Sequence, residues 1–227
     1  LNSDGKIDIL VGAFVWINNG SMSFTRKSSG LPYYQFNNLD VADYDLDGFP
    51  DVALIGNETL EVYRNDGTGS FSAIGVGLPG LTHYHLGNGM YALPGVKWAD
   101  YDQDGDQDFL IYGLNTLLNW MQTTLYENQG FGTFAVVASD LPYIGSSNVW
   151  VDLNFDGYPD VVSSGVNYDL TTNLTWVSLN DGTGKFTNSS LDLASTSNAW
   201  LSVVDYQQDR DPDILMTGNS LSRLFRN

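Results

Sequence analysis

A nine-residue segment with aspartate or a related polar residue at alternate positions is repeated along this chain. Complete copies occupy Asp43–Asp51, Asp100–Asp108, Asp152–Asp160 and Asp205–Asp213, and residues Asn2–Asp8 match the last seven positions of the segment. The central glycines stand at positions 5, 48, 105 and 157, with Arg210 at the same place in the last copy, so the period is 43 to 57 residues. A period of this length predicts an array of similar supersecondary units.

A second segment repeats in phase with the first. Its copies are Asn18–Phe24, Asn65–Phe71, Asn128–Phe134 and Asn180–Phe186, and Asn227 is the first residue of a further copy. Asn-Gly and Asp-Gly steps of this kind supply the positive φ angles that tight hairpins need. Between the two segments lie short runs rich in Val, Ile, Leu, Tyr and Phe, which have the length of strands.

These patterns predict an all-β fold, a β-propeller of four-stranded antiparallel blades with three complete and two partial blades in this chain. One propeller domain then occupies residues 1–227, with blade repeats at approximately 1–36 (partial), 37–80, 94–145, 146–196 and 197–227 (partial). Both ends of the chain are expected to fall inside a repeat. Such ends would leave open sheet edges that favour self-assembly or continuation in a longer chain.

The composition excludes several classes of function. The formal net charge is −18, which would repel both nucleic acid and an anionic membrane surface. There is no cysteine and no apolar run of membrane-spanning length, so disulfides, zinc-thiolate sites and membrane insertion are not expected. Only three of the 27 acidic residues are glutamates, and aspartate is the acid typical of turns and of cation loops.

The Asp segments have the ligand pattern of a calcium loop, with side-chain oxygens at positions 1, 3, 5 and 9 and a main-chain carbonyl at position 7. The predicted ligand positions are Asp43, Asp45, Asp47, Phe49 and Asp51; Asp100, Asp102, Asp104, Asp106 and Asp108; Asp152, Asn154, Asp156, Tyr158 and Asp160; Asp205, Gln207, Asp209, Asp211 and Asp213; and Asn2, Asp4, Lys6 and Asp8. The alternative is a set of acidic surface turns held by their own hydrogen bonds.

The five loops are not expected to bind calcium with equal strength. We predict three strong Ca²⁺ sites in the loops at 43–51, 100–108 and 152–160, a weaker site at 205–213, where Gln207 and Arg210 interrupt the pattern, and a truncated site at residues 2–8. An EF-hand is excluded, because that loop needs an acidic residue at position 12. Position 12 is here Leu54, Ile111, Ser163 or Met216.

The motif Asp-x-Asp/Asn-x-Asp-Gly-x-x-Asp, followed by Asn-x-Gly-x-Gly-x-Phe, resembles the FG-GAP/VCBS repeats of integrin α-subunit propellers and microbial surface proteins. The segment Trp98–Leu110 is especially similar to the microbial version. The resemblance spans essentially the whole chain and implies that it is part of a seven-bladed propeller. It also implies that the ion loops lie on one face with a structural role, and that ligands bind on the opposite face.

Three connections on that opposite face are expanded, at residues 78–91, 113–123 and 165–174. Long loops on a rigid scaffold often carry function. The candidate ligand-binding residues in them are His83, Tyr84, His85, Tyr91, Trp120 and Tyr168. The alternative is that these side chains pack the loops onto the blades.

The function expected from these features is an extracellular or cell-surface module for adhesion, ligand binding or assembly, rigidified by calcium and directed at a protein or glycan. Loops of this kind saturate at calcium concentrations found outside cells. The alternative is a propeller enzyme acting on polysaccharide, a lyase or a hydrolase. No catalytic residues are assigned, because the expanded loops contain few acids, bases or arginines.

Overall fold

The computed structural model describes residues 1–33, 38–85, 91–167, 172–191, 193–219 and 221–227, with backbone alone for residues 84, 85, 91 and 92. These residues form an all-β protein, and no helix occurs among them. Within the same residues there is accordingly no apolar helix of the length needed to cross a membrane. Five small antiparallel sheets follow one another along the chain as the blades of a β-propeller.

The strands of each blade are consecutive in sequence. Blade 1 contains β1 (Ile9–Val11), β2 (Phe14–Gly20) and β3 (Ser23–Ser28). Blade 2 contains β4 (Asn38–Ala42), β5 (Asp51–Gly56), β6 (Thr59–Asn65), β7 (Phe71–Ala73) and β8 (Leu78–Pro79); β9 (Tyr84–His85) and β10 (Tyr91–Ala92) pair separately. Blade 3 contains β11 (Gly95–Ala99), β12 (Asp108–Asn115), β13 (Trp120–Asn128) and β14 (Phe134–Val137). Blade 4 contains β15 (Gly145–Val151), β16 (Asp160–Val166), β17 (Asn173–Asn180) and β18 (Phe186–Asn188). Blade 5 contains β19 (Trp200–Val204), β20 (Asp213–Thr217) and β21 (Ser222–Phe225).

The second strand of each middle blade is its most buried element. Every residue of β5 and of β16 is buried, and in β12 only the last residue is partly exposed. A strand covered on both faces is apolar at successive positions rather than at alternate ones. This explains the apolar runs that follow each Asp segment in the sequence.

The hydrophobic core lies between neighbouring blades. Trp98 of blade 3 stacks on Tyr44 of blade 2 and meets the ring of Phe109 edge-on, with centroids 6.3 and 5.0 Å away. Trp98 is 8% exposed, whereas Trp150 is partly buried against the next cluster. Because the clusters join adjacent blades, each blade needs its neighbours to bury its apolar surface.

The expanded connection predicted at residues 113–123 is mostly strand. Strands β12 and β13 pair as far as Asn115 opposite Trp120, which leaves only residues 116–119 as the turn. This hairpin is longer than the corresponding hairpin of blade 2, where Asn57 and Glu58 alone form the turn, with φ of 50° and 62°. The extra length extends blade 3 beyond blade 2 on the face opposite the Asp loops.

Candidate metal centres

The four complete Asp loops occupy equivalent places in the fold. Each connects the first two of three consecutive strands of a blade, β4 to β5, β11 to β12, β15 to β16 and β19 to β20. The turns that begin with Asn65, Asn128 and Asn180 connect the third and fourth strands of their blades, at the same end of the blade as the Asp loop. Antiparallel pairing places these two connections at one end, so the two repeated segments of the sequence meet in space.

Two positions in each loop have left-handed backbone. Position 4 has φ of 57° at Leu46, 62° at Gln103, 61° at Phe155 and 61° at Gln208. Position 6 has φ of 90°, 98° and 96° at the three glycines and 78° at Arg210. Positive φ at these two places curls the chain, so that the odd-numbered side chains turn toward a common centre. The fourth loop keeps this curvature despite its arginine.

The aspartate at position 9 is the buried acid of each complete loop. Asp108 is 1% exposed, and its two oxygens accept hydrogen bonds from the main-chain N–H groups of Tyr101 (3.3 Å) and Asn128 (2.8 Å). Asp51, Asp160 and Asp213 make the same pair of hydrogen bonds. Burial raises the pKa of Asp51 and of Asp108 to about 7, and raises the pKa of Asp160. A nearby cation would offset this cost of burying the charged form.

An asparagine from the following turn joins each loop to the preceding blade. The amide of Asn128 donates to the carbonyl oxygens of Gln107 in its own blade (3.3 Å) and of Tyr44 in the blade before (3.1 Å). Asn65, Asn180 and Asn227 donate in the same way to Leu1, Tyr101 and Leu153. The sequence pattern predicted only turns at these asparagines and not their role between blades, although their strict phase with the Asp segments was a signal of it.

Two of the loops bring three carboxylates close together. Ligand oxygens of Asp43, Asp45 and Asp51 lie within 4.8 Å of one another, and so do those of Asp100, Asp102 and Asp108. Oδ1 of Asp100 and Oδ1 of Asp152 are buried, and neither has a hydrogen-bond partner. A buried carboxylate oxygen without a donor is costly, and a hard cation satisfies it. The residues present in these two loops therefore fit a calcium ion, with clustered oxygens from positions 1, 3 and 9.

The remaining predicted ligand positions differ between loops. Asn154 donates through its amide to Asp156 over 2.8 Å. In the loop at residues 2–8, Lys6 pairs with Asp4 at 2.8 Å. In the fourth loop both oxygens of Asp205 accept main-chain hydrogen bonds, from Asp209 and Arg210. The metal assignments for all five loops stay predictions.

The candidate ligand-binding residues are only partly within the described structure. Trp120 is 47% exposed at the start of β13, beside a turn whose Leu117 is 94% exposed. Main-chain hydrogen bonds between Thr82 and Leu114 bring the segment of His83 to this hairpin. The backbones of His85 and Tyr91 pair directly, and Tyr84 pairs with Ala92. The side chains of Tyr84, His85 and Tyr91 lie outside the described residues, as does all of Tyr168.

Antiparallel blades with an Asp loop on each first hairpin define a repeat β-propeller with candidate cation sites. The model of the FG-GAP-like repeat matches residues 1–54, 43–111 and 152–216, so the chain belongs to the FG-GAP-like repeat family. This confirms the resemblance drawn from the Asp segments.

Among solved structures, the chain is similar to an Agrocybe aegerita lectin described by its specific recognition of non-reducing terminal N-acetylglucosamine. The TM-score is 0.62 at 20% sequence identity, and the match covers 98% of this chain and 60% of the lectin chain. At this identity the likeness shows the fold alone. No curated protein matches the sequence.

Proposed function

We propose that this propeller binds calcium at its Asp loops and that the bound ions stabilise the blades. The observation that carries the proposal is the pair of buried, unpartnered oxygens on Asp100 and Asp152, each at position 1 of a loop with left-handed curvature. Bound calcium supplies a positive charge shared by several oxygens. The chain's own residues hold the loop curvature, bury the aspartate at position 9 and link each loop to the next blade.

The proposal is tested by thermal unfolding and a bound-metal count on the full chain, first stripped with a chelator and then titrated with calcium. We expect a calcium-dependent rise in melting temperature and at least two ions per chain. The double variant Asp100→Asn, Asp152→Asn should lose those ions and most of the rise. Asp140→Asn removes a charge at an exposed position outside the loops and is the control. No bound calcium and no shift in the unmodified chain would refute the proposal.

We further propose that the module acts outside the cell or on its surface. Loops of this ligand type have dissociation constants of about 10⁻⁴ to 10⁻³ M in extracellular modules, so they would be filled there. The net charge of −18 also suits a role that involves neither nucleic acid nor anionic membrane.

For the partner, we propose a glycan or protein bound on the face opposite the Asp loops. Support comes from the β12–β13 hairpin, which presents Leu117, Leu118 and Trp120 to solvent at 94%, 49% and 47% exposure, and from the lectin with the same fold. Screening of the calcium-loaded chain against a defined glycan array tests this, with Trp120→Ala as the binding-deficient variant. Turnover of a polysaccharide in the same preparation would instead favour the alternative, a propeller lyase or hydrolase.

We also propose that blades 1 and 5 pack against further blades of a larger propeller, for which the resemblance implies seven in total. Among the described residues, each has three strands and exposes apolar side chains on its sheet. These are Ile9, Val11, Phe14 and Trp16 in blade 1, and Trp200, Val203, Val204 and Leu215 in blade 5. Light scattering of this chain tests the proposal, because a stable, soluble monomer would contradict it.

A further inference from the structure

The loop at residues 43–51 differs from the other loops because an arginine of its own blade is bound to it. Arg64 lies on β6, and its guanidinium pairs with Asp45 at 2.7 Å and with Asp47 at 2.8 Å. Asp45 and Asp47 are positions 3 and 5 of the loop, two of the four side chains that would hold a cation. The guanidinium of Arg64 therefore already pairs with two of the side chains that would bind the ion.

The corresponding strand position carries no positive charge in the next two blades. It is the residue before the turn asparagine, and it is Glu127 before Asn128 and Leu179 before Asn180. Among the ion pairs between described residues, none involves an aspartate of the loops at 100–108 or 152–160.

The hydrogen bonding at position 1 divides the loops at 43–51, 100–108 and 152–160 in the same way. Both oxygens of Asp43 accept main-chain hydrogen bonds, from Asp47 at 3.0 Å and from Gly48 at 2.9 Å. Asp100 and Asp152 each accept one such bond and keep Oδ1 buried without a partner. In the loop that holds Arg64, both oxygens of the position-1 carboxylate have hydrogen-bond donors without a metal ion. In the loops at 100–108 and 152–160, which hold no arginine, one oxygen has none.

We propose that Arg64 is a built-in competitor for the cation of its loop, so that the loop at 43–51 binds calcium more weakly than the loops at 100–108 and 152–160. This inference rests on the proposed calcium function. The loops at 43–51, 100–108 and 152–160 then form two affinity classes, although their sequence patterns are nearly the same.

The structure allows the arginine to leave the loop when an ion binds. Its side chain is 51% exposed, and it lines a cavity of 490 Å³ between blades 2 and 3 that also contains Tyr44, Asp106 and Phe131. Displacement therefore needs no change in the core. Its cost is the loss of two exposed ion pairs, and that loss weakens calcium binding at this loop by about three- to tenfold.

The test is a calcium titration of the full chain in competition with a chromophoric chelator, which resolves tight and weak sites. Arg64→Leu copies the residue of blade 4 and should strengthen one weak site by about three- to tenfold. Glu127→Arg is the reciprocal change and should weaken one tight site. Arg223→Leu is the control, because it removes the same charge in blade 5, where Arg223 faces the ring of Phe225.

The outcomes separate this inference from the function on which it rests. If the unmodified chain binds calcium but Arg64→Leu changes its affinities no more than Arg223→Leu does, the competitor role is refuted and calcium binding stands. If the unmodified chain binds no calcium, both are refuted. Circular dichroism of each variant without metal establishes that it is folded, and Glu127→Arg gives an independent reading should Arg64→Leu be unstable.

Discussion

The side-chain amide of Asn180 lies 2.8 Å from the main-chain carbonyl oxygen of Tyr101, which belongs to the loop of the preceding blade. The same amide donates to Pro159 of its own blade at 3.0 Å, and its carbonyl oxygen accepts from Gly182. One side chain therefore joins two blades and a turn, and it is 3% exposed.

Replacing Asn180 by alanine should destabilise the protein by about 1 to 3 kcal/mol, because two buried carbonyl groups and one N–H lose their partner. Chemical denaturation of the full chain, with and without calcium, measures this. The control is Asn188→Ala, an exposed asparagine at the end of β18. Equal unfolding midpoints for the two variants would show that the link between blades contributes nothing.

Asp152→Asn should make the protein less stable than the unmodified chain in calcium, but no less stable without it. Without the metal, it removes a carboxylate charge whose Oδ1 is buried and unpartnered, so the variant should be at least as stable as the unmodified chain. With calcium at a hundred times the dissociation constant, the unmodified site gains about 2.7 kcal/mol that the variant forgoes. Melting temperatures in chelator and in calcium give both values, and a variant less stable in chelator would contradict the reasoning.

Glycines at one position of the Asn turn should differ in their tolerance of alanine. Gly67 and Gly130 have φ of 78° and 75°, but a Cβ on Gly67 would lie 2.8 Å from the ring of Phe49, whereas one on Gly130 meets nothing within 4 Å. Gly130→Ala should cost about 1 to 2 kcal/mol from backbone strain alone. Gly67→Ala should cost more, since Phe49 must move. Equal unfolding free energies for the two variants would mean that the ring of Phe49 moves aside at no energetic cost.

Two tryptophans of blade 3 should respond very differently to truncation. Trp98→Ala opens a cavity among Tyr44, Phe109 and Phe134 and should cost about 3 to 5 kcal/mol. Trp120→Ala, at an exposed hairpin position, should change stability by about 0.5 kcal/mol or less. Thermal unfolding compares the two. A large loss at Trp120 would mean that its ring packs the hairpin rather than serving a ligand.

Much of the fold follows from the sequence because it depends on short-range geometry. The Asp and Asn segments fix hairpins through positive φ at set positions, and the apolar runs between them are strands such as β5 and β12. The length of the β12–β13 hairpin did not follow. Its outer part, from Asn115 to Gln122, mixes polar and apolar residues without a regular alternation, so it reads as loop although its strand residues pair.

The contacts that distinguish one loop from another did not follow from the sequence either. Arg64 is 17 residues from Asp47 in sequence, and only the pairing of β5 with β6 brings it to the loop. The amide of Asn128 is 84 residues from Tyr44 and depends on how blades 2 and 3 stack. The motif identifies where ligands can lie, but tertiary packing decides which of them are already engaged.

The asparagine links imply an order in which the loops are completed during synthesis. The loops of blades 1 to 4 each bind an amide from the blade that follows, and the separation from Tyr101 to Asn180 is 79 residues. At a synthesis rate of about 5 to 20 residues per second, a newly made loop would wait roughly 4 to 16 s for its amide to leave the ribosome. During translation, therefore, the youngest blade is always the one whose acidic loop is still open.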